Sequence, residues 1–594
     1  MKTLKPVDVV IAGGGWTGLL VAQELATRTS LKVVVLERGP NRTILDYMGG
    51  MDEVDHALRW KMMQNIADET VTHRHTRRNR AVPVRQYGSF LPGTGTGGSG
   101  EHWTGYSYRY MPETFRLGSH FAERYDAAQL PDGLDVRDWG ITWADIEPDY
   151  NRVEKLIGVG GVAGNLRGKI NPEGNIFEGE RSEEFPLPPP KQTYAMTVVA
   201  KAARELGWNP YLAPAATLSR TYTNPYGVSR LECEYCGYCS RYGCMIGAKA
   251  QPSSVLIPVL EQQDNFELRN HSWVRRVLHQ DGQATGVMYM DEDGEEVTQP
   301  ANIVVLAGFT VPNIRMLLLS KIGEAYDPET ASGTLGRRFT QQTGKVTGGS
   351  KIVFDEPLNL FMGAGGLAIK VSDYDRDRAS DETGTFLRSG NFGYSAGGST
   401  PIRGFNAAPA GTTARNWGSE WKKANLDHYD RVISLSGMDG EHLSYRQNYA
   451  DLDPTYTDKW GDPLLRLTLD YTEHEIRQSQ FTGKVLKRFS EEIARVGKAK
   501  LVERPYGVPG NGHYPASHYQ TTHLQGGATM GVSPDDSVVN THLQHWDVPN
   551  LWVVGASSFP QAGSTNPTAT ALAIAYRAAD ALVERYLKRP GLVG

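Results

Sequence analysis

All four cysteines of this 594-residue chain fall in one short stretch, Cys233, Cys236, Cys239 and Cys244, spaced C-x2-C-x2-C-x4-C. Two-residue spacings let thiolates converge on a small centre, and glycines between them let backbone amides donate to sulfur. The run is close to the C-x2-C-x2-C-x3-C-P spacing of ferredoxins, with one more residue and no following proline. Four thiolates also suit structural zinc, although zinc ligands usually split into two separated pairs. Disulfides fit poorly, because such short spacings strain the bridge. A second candidate is Gly13-Gly14-Gly15-Trp16-Thr17-Gly18, a G-x-G-x-x-G turn able to approach a pyrophosphate. A third is a set of histidines near the C-terminus: His513, His518, His523, His542 and His545. Imidazole is the side chain best poised to take a proton near pH 7. Taken singly, each of these histidines is more often structural, and His542-x-x-His545 has no acidic or thiol partner to make a metal site.

The glycine turn has the elements it needs. Val7–Ala12 reads as a buried parallel strand, Leu19–Thr27 as an amphipathic helix, and Lys32–Leu36 as a second strand ending in Glu37. In this βαβ unit Gly13 and Gly15 permit the turn, Gly18 packs helix on strand, and Glu37 accepts from ribose hydroxyls. The motif alone does not separate FAD from NAD. Residues 88–105 form a long glycine-rich loop, and such loops are usually functional. Asn302–Gly308 reads as a strand followed by a helix over Pro312–Ser320. Val548–Pro560 is a strand turning through Gln561–Thr568 into a helix over Ala569–Leu587. A nucleotide domain stitched from both ends and the middle of the chain suggests a flavoprotein.

Composition narrows the class. The length implies several domains at ~150 residues each. Hydrophobic residues make up 39% and charged residues 22%, which excludes a wholly disordered or membrane-embedded chain. A formal charge of −5 gives no general nucleic-acid footprint. The local basic run His73–Arg80 is expected to be a solvated loop. No apolar stretch approaches the ~18 residues of a membrane span. No signal peptide is expected, since strand-like residues begin at Val7.

The chain resembles the glucose–methanol–choline oxidoreductases, and most closely the flavoprotein subunits of bacterial sugar-acid dehydrogenases. The resemblance covers essentially the whole chain. It is carried by the N-terminal fingerprint, the LPGTGTGGSGEHWTG loop, the cysteine run, YQTTHLQGGATMG and the closing NPTATALA segment. It implies an α/β fold: an FAD-binding Rossmann-like domain from residues 1–110, 225–345 and 505–594, with an iron–sulfur segment at 231–250. Residues 111–224 would bridge it to an α+β substrate domain, 346–504, whose antiparallel sheet roofs the flavin. Residues 372–388 are expected to be exposed.

The same resemblance assigns roles. His523 stands at the family's base position, with Gly527 where a threonine is usual, and Asn566 holds the second position. Hydride would pass from an alcohol carbon to flavin N5 as His523 takes the hydroxyl proton and Asn566 holds the oxygen. FAD would contact Gly97, Gly98, Gly555, Ala556, Pro567 and Thr568, with the Val274 backbone at the adenine. His102, preceding Trp103, is similar to family histidines bonded covalently to the flavin 8α-methyl; the alternative is an imidazole stacked beside the ring. Cys233, Cys236, Cys239 and Cys244 would hold an iron–sulfur cluster, commonly 3Fe–4S, of which three thiolates suffice. The implied substrate is gluconate or a close sugar acid. Alternatives are 2-keto-gluconate, glucose, sorbitol or fructose, and a less favoured oxygen-using oxidase. The implied partners are a small subunit carrying the export signal and a multi-haem cytochrome c subunit serving as acceptor and membrane anchor. That places the complex on the periplasmic side of the inner membrane, peripherally bound. Arg403, Arg446 and Arg466 are unranked candidates for a substrate carboxylate.

Overall fold

A computed structural model describes residues 2–47, 62–85, 92–341, 349–398, 408–437, 440–505, 512–514 and 522–594. The first sheet is built on β1 (Val7–Ala12), β2 (Val33–Leu36), β3 (Phe266–Arg269), β4 (Trp273–Gln280), β5 (Gln283–Met290) and β6 (Glu296–Leu306). Their spatial order is β3-β2-β1-β6-β5-β4, and Lys2–Thr3 and Leu551–Val553 also pair with β6. The β3, β2, β1 and β6 strands run parallel, with Val34 opposite Val10 and Val10 opposite Val304. These strands are almost continuously apolar, as expected of parallel strands buried on both faces. Valines 9, 10, 33, 34, 35, 304 and 305 are all fully buried.

Three helices lie against one another beside this sheet: α1 (Trp16–Arg28), α2 (Trp143–Ile157) and α3 (Thr568–Ala581). The last is rich in alanine, and small side chains let its backbone come close to both neighbours. The N- and C-terminal segments thus share one apolar core. Helix α2 carries a buried ionic knot. The Glu154 carboxylate accepts from Arg109 Nε at 2.8 Å and from Arg181 Nη2 at 2.5 Å, and Glu147 accepts from Arg109 Nη1 at 2.9 Å.

The second sheet is antiparallel throughout. It runs Lys500–Glu503, Ser350–Val353, Val432–Gly437, Phe392–Ser395, Ala368–Val371 and Pro210–Leu212. The last of these strands comes from outside residues 346–504. Helices Tyr194–Glu205 and Glu473–Val496 cover one face through Ile369, Val371, Phe392, Tyr394, Ile433 and Leu435. Side chains alternate across a strand, so Lys370 and Ser395 project from the opposite face.

Residues 372–388 are only in part the exposed stretch expected from their polarity: 381–385 are exposed, and the rest is buried or half-buried. Asp375 and Arg388 are fully buried and Arg376 nearly so, because ion pairs satisfy them: Arg388 with Glu441 and Asp377, and Arg376 with Glu113. In the basic run, His73 and Arg74 are buried in a strand, while Arg77–Arg80 are exposed. Among the described residues, no helix is long and apolar enough to cross a membrane.

Candidate active site

The turn after β1 packs as a nucleotide turn should. Gly13 has φ +117°, and a Cβ there would lie 2.5 Å from the Ala307 carbonyl oxygen. A Cβ on Gly18 would sit 2.1 Å from the Gly13 oxygen, so helix α1 could not pack this closely on β1 with any other residue. No side chain caps the start of α1 and its first turn holds no acid, which leaves its N–H groups and positive dipole for an anion. Glu37 accepts three backbone N–H bonds, from Gly14, Gly39 and Gly95, each at 2.9 Å. It fastens the glycine-rich loop to the turn while still lining the cavity beyond.

That cavity measures about 420 Å³, within the range of small-molecule sites. Gly13, Gly15, Glu37 and Val274 line it, with Gly98 and His102 from the loop and Gly555, Ala556, Pro567 and Thr568 from the C-terminal turn. Gly18 and Gly97 do not reach it. Gly18 packs helix on strand, and Gly97 donates to the Gly14 carbonyl at 2.7 Å.

His523 and Asn566 meet at the same cavity, with Asn566 Nδ2 donating to His523 Nε2 at 3.0 Å. In this arrangement Nε2 is the acceptor and the ring proton sits on Nδ1. Two constraints hold the pair. Asn566 directly precedes Pro567, the N-cap of α3, and His523 has φ +65°, a strained value for a non-glycine residue. The competing histidines are engaged elsewhere. His513 pairs with Asp470 at 2.7 Å, and His542 bonds Arg585 at 3.2 Å. Burial pushes both His542 and His545 down to about 4. His518 and Arg403 lie outside the described residues. Arg466 is spent on Asp451, at 2.8 and 2.6 Å.

The gluconate 2-dehydrogenase flavoprotein of Pantoea cypripedii is 42% identical over 99% of this chain and 95% of its own. The GMC oxidoreductase family model also matches residues 444–575, the stretch holding His523 and Asn566. The chain belongs to the GMC oxidoreductases. The fructose dehydrogenase large subunit of Gluconobacter japonicus is 23% identical over 97% of each chain. Among solved structures, pyridoxine 4-oxidase from Mesorbium loti aligns with a TM-score of 0.56 at 18% identity, over 98% of this chain and 100% of that one. Aspergillus oryzae formate oxidase aligns at 0.57 and 13%, over 99% of each; at such identities the likeness shows the shared fold. As a member of this family the protein is an FAD-dependent oxidoreductase acting on CH–OH groups. The cradle fits the cofactor: glycine backbone and an uncapped helix for pyrophosphate, with a cavity continuing to the His523–Asn566 pair.

In this GMC protein the flavin loop is locked from behind. His102 is fully buried, and its carbonyl accepts from Arg241 N at 2.8 Å. Beside it, the Glu101 carboxylate accepts from Ser253 N at 2.9 Å and Ser253 Oγ at 2.8 Å. Lys249, itself fully buried, donates to the carbonyls of Glu101 and Trp103 at 3.0 Å, Cys239 at 2.9 Å and Tyr242 at 2.8 Å. One ammonium therefore ties the His102 loop to the cysteine segment. Nothing local marks Lys249 for this, because two of its four partners, Glu101 and Trp103, come from a distant stretch.

The cysteines are free thiols, Cys239 and Cys244 buried and the other two half-buried, and none lines the cavity. Cys233 Sγ accepts from Tyr235 N at 3.3 Å and Cys244 Sγ from Lys249 N at 3.5 Å. Burial, and then the neighbouring thiols, push Cys233 up to about 12 and Cys239 higher. Among the described residues, however, no three His, Cys, Asp or Glu side chains are grouped as a metal site. The four thiols expected as ligands are close in sequence but not drawn into ligand geometry. Neutral thiols gain little from convergence, and it is a cation that supplies the reason. The soft donors and their N–H partners suit a cluster chemically, and no catalytic step is routed through one here.

Proposed function

We propose that the protein is the flavoprotein subunit of a dehydrogenase that oxidises an alcohol carbon of gluconate or a close sugar acid. The observation that carries this reading is the 3.0 Å His523–Asn566 pair in the cavity that the nucleotide turn also lines. Likeness to the Pantoea flavoprotein points to the substrate class. Bound FAD supplies the acceptor for the hydride leaving the substrate carbon. His523 Nε2 takes the hydroxyl proton, so the alcohol loses one proton and one hydride to become a carbonyl. Asn566 donates to the same oxygen through a group that does not titrate. The two act on one atom, and the substrate hydroxyl takes the place of Asn566 as the hydrogen-bond donor to Nε2.

His102, facing the cavity from the loop, is the proposed site of flavin attachment. The four cysteines are proposed to carry an iron–sulfur cluster that forwards electrons singly to a cytochrome c-type subunit. Lys249 supports this by binding the segment to the flavin loop. A small subunit with an export signal and a periplasmic, peripheral location complete the proposal.

Anaerobic addition of gluconate should bleach the flavin spectrum; an unchanged spectrum would overturn the substrate reading. Trichloroacetic acid should leave the yellow colour in the pellet, and H102A should release it. Purified protein should contain iron, and C239S should lower it while gluconate still bleaches the flavin. Deleting the small subunit should retain the protein in the cytoplasm. Turnover of fructose in preference to gluconate would favour the activity named for the Gluconobacter relative.

A further inference from the structure

We propose that Lys370 binds the carboxylate of the substrate, selecting a sugar acid over the neutral polyol of the same carbon skeleton. The proposal rests on the sugar-acid reading above and names the residue that would enforce it. Lys370 lies on the roof strand Ala368–Val371, whose flanking Ile369 and Val371 face the helices. The alternation of the strand therefore points Lys370 the other way, into the cavity that His523 and Asn566 also line.

Its burial is what makes it unusual. Lys370 is only 6% exposed. Among the described residues it has no ion pair and no side-chain hydrogen bond. Nζ lies 5.7 Å from the centroid of the Tyr106 ring, and Tyr211 stands opposite Lys370 on the adjoining strand. Burying an ammonium without a polar partner is expensive, and other buried cations of this chain have one. Arg109 and Arg181 share Glu154, Arg388 has Glu441, and Lys249 has four carbonyls. Burial alone, with no neighbouring charge contributing, lowers Lys370 to about 8. A ligand carboxylate would supply the missing charge.

The surroundings suit one. Of the two residues opposite Lys370 in the register, Tyr211 and Gly393, the glycine leaves its side of the lysine uncovered. Ser395, opposite Ala368, shares the face of Lys370. Tyr106 Oη donates to Ser395 Oγ at 2.6 Å, which leaves the serine proton to point at a second acceptor. An ammonium and a hydroxyl on one sheet face form a two-point site for a carboxylate. A neutral polyol would leave the ammonium buried and unpaired, and that penalty is the basis of selection.

The test uses flavin-loaded wild type, K370M and K370R with D-gluconate and D-glucitol. Binding to dithionite-reduced enzyme is measured by calorimetry, and anaerobic stopped-flow bleaching gives the limiting rate. Wild type should prefer gluconate. K370M should weaken gluconate by about 10- to 100-fold, as expected for a hydrogen bond between charged groups. Its limiting rate should stay within a few-fold, its glucitol affinity should hold, and K370R should recover most of the loss. An unchanged gluconate constant in K370M overturns the proposal, as does equal weakening of both ligands. A shifted flavin potential with unchanged gluconate affinity overturns it too, by assigning the lysine to the cofactor. If gluconate does not bleach the wild type, the sugar-acid reading itself falls and the Lys370 assignment with it. Bleaching with an unaffected K370M leaves that reading standing.

Discussion

Beneath helix α2, Arg109 and Arg181 share the carboxylate of Glu154, whereas on the roof strand Lys370 is comparably buried and faces no carboxylate among the described residues. The first region spends its charges on itself. Both guanidinium groups are satisfied within the fold, and their removal would be felt as instability. The second holds a charge that the fold leaves uncompensated, in a cavity wall beside hydroxyl groups. Burial with a partner marks structure, and burial without one at a cavity marks a place for a ligand.

The largest effect expected on the cavity side is kinetic. H523Q should slow gluconate-dependent bleaching by about 10²- to 10⁴-fold, the usual contribution of a positioned base, with the melting temperature unmoved. On the α2 side, E154Q takes from buried Arg181 the carboxylate it pairs with and leaves Arg109 with Glu147 alone. It should cost about 3–5 kcal/mol, read as a lowered thermal midpoint, while gluconate affinity in the surviving folded protein stays as in wild type. If E154Q instead altered binding, the separation of the two regions would fail. K370M should show the reverse pattern, with stability equal to or above wild type because an unpaired buried charge has been removed, and affinity lost.

Acid and base should act on the two regions with opposite sign. Burial tends to raise Glu154, but Arg109 and Arg181 hold it at about 2, against an ordinary 4.5. Its contribution is therefore complete above 4.5 and is lost as pH falls toward 2. Lys370 is lowered from 10.5 to about 8, so the unfolded chain binds its proton more tightly than the folded one. Ligand-free wild type should consequently gain stability relative to K370M as pH rises from 8 to 10.5. Denaturant midpoints of the two proteins across that range provide the check, and a constant difference would show that Lys370 is not held in a costly state.

The flavin side of the molecule was legible in the chain. Its signals are local: three glycines at fixed offsets, an apolar strand on either side of a helix, and an acid at the end of the second strand. Backbone recognition needs absent side chains, and absence shows in a sequence. Even there, Gly18 and Gly97 serve packing rather than the cavity, and Glu37 is engaged by three backbone N–H groups, one of them in the loop. The roof side was not legible. Residues 372–388 read as exposed because they are polar, yet only 381–385 are, and the buried Arg376 and Arg388 are matched by Glu113 and Glu441 from distant segments. Lys370 carried no mark at all, since a lysine in a four-residue strand reads as a surface residue.

The sequence by itself determined the chemistry available: the nucleotide turn, the confined cysteine run, and through family likeness the choice of His523 and Asn566. Those properties are set by residue type and short spacing, which do not depend on the rest of the chain. Only the tertiary structure decided which groups face one another. It brought Asn566 to within 3.0 Å of His523, joined the cysteine segment to the flavin loop through Lys249, and turned Lys370 toward the cavity. Strand register and helix packing set those meetings. Each sums many weak contacts between distant segments, so the facing of a single side chain is fixed only once the whole core has closed.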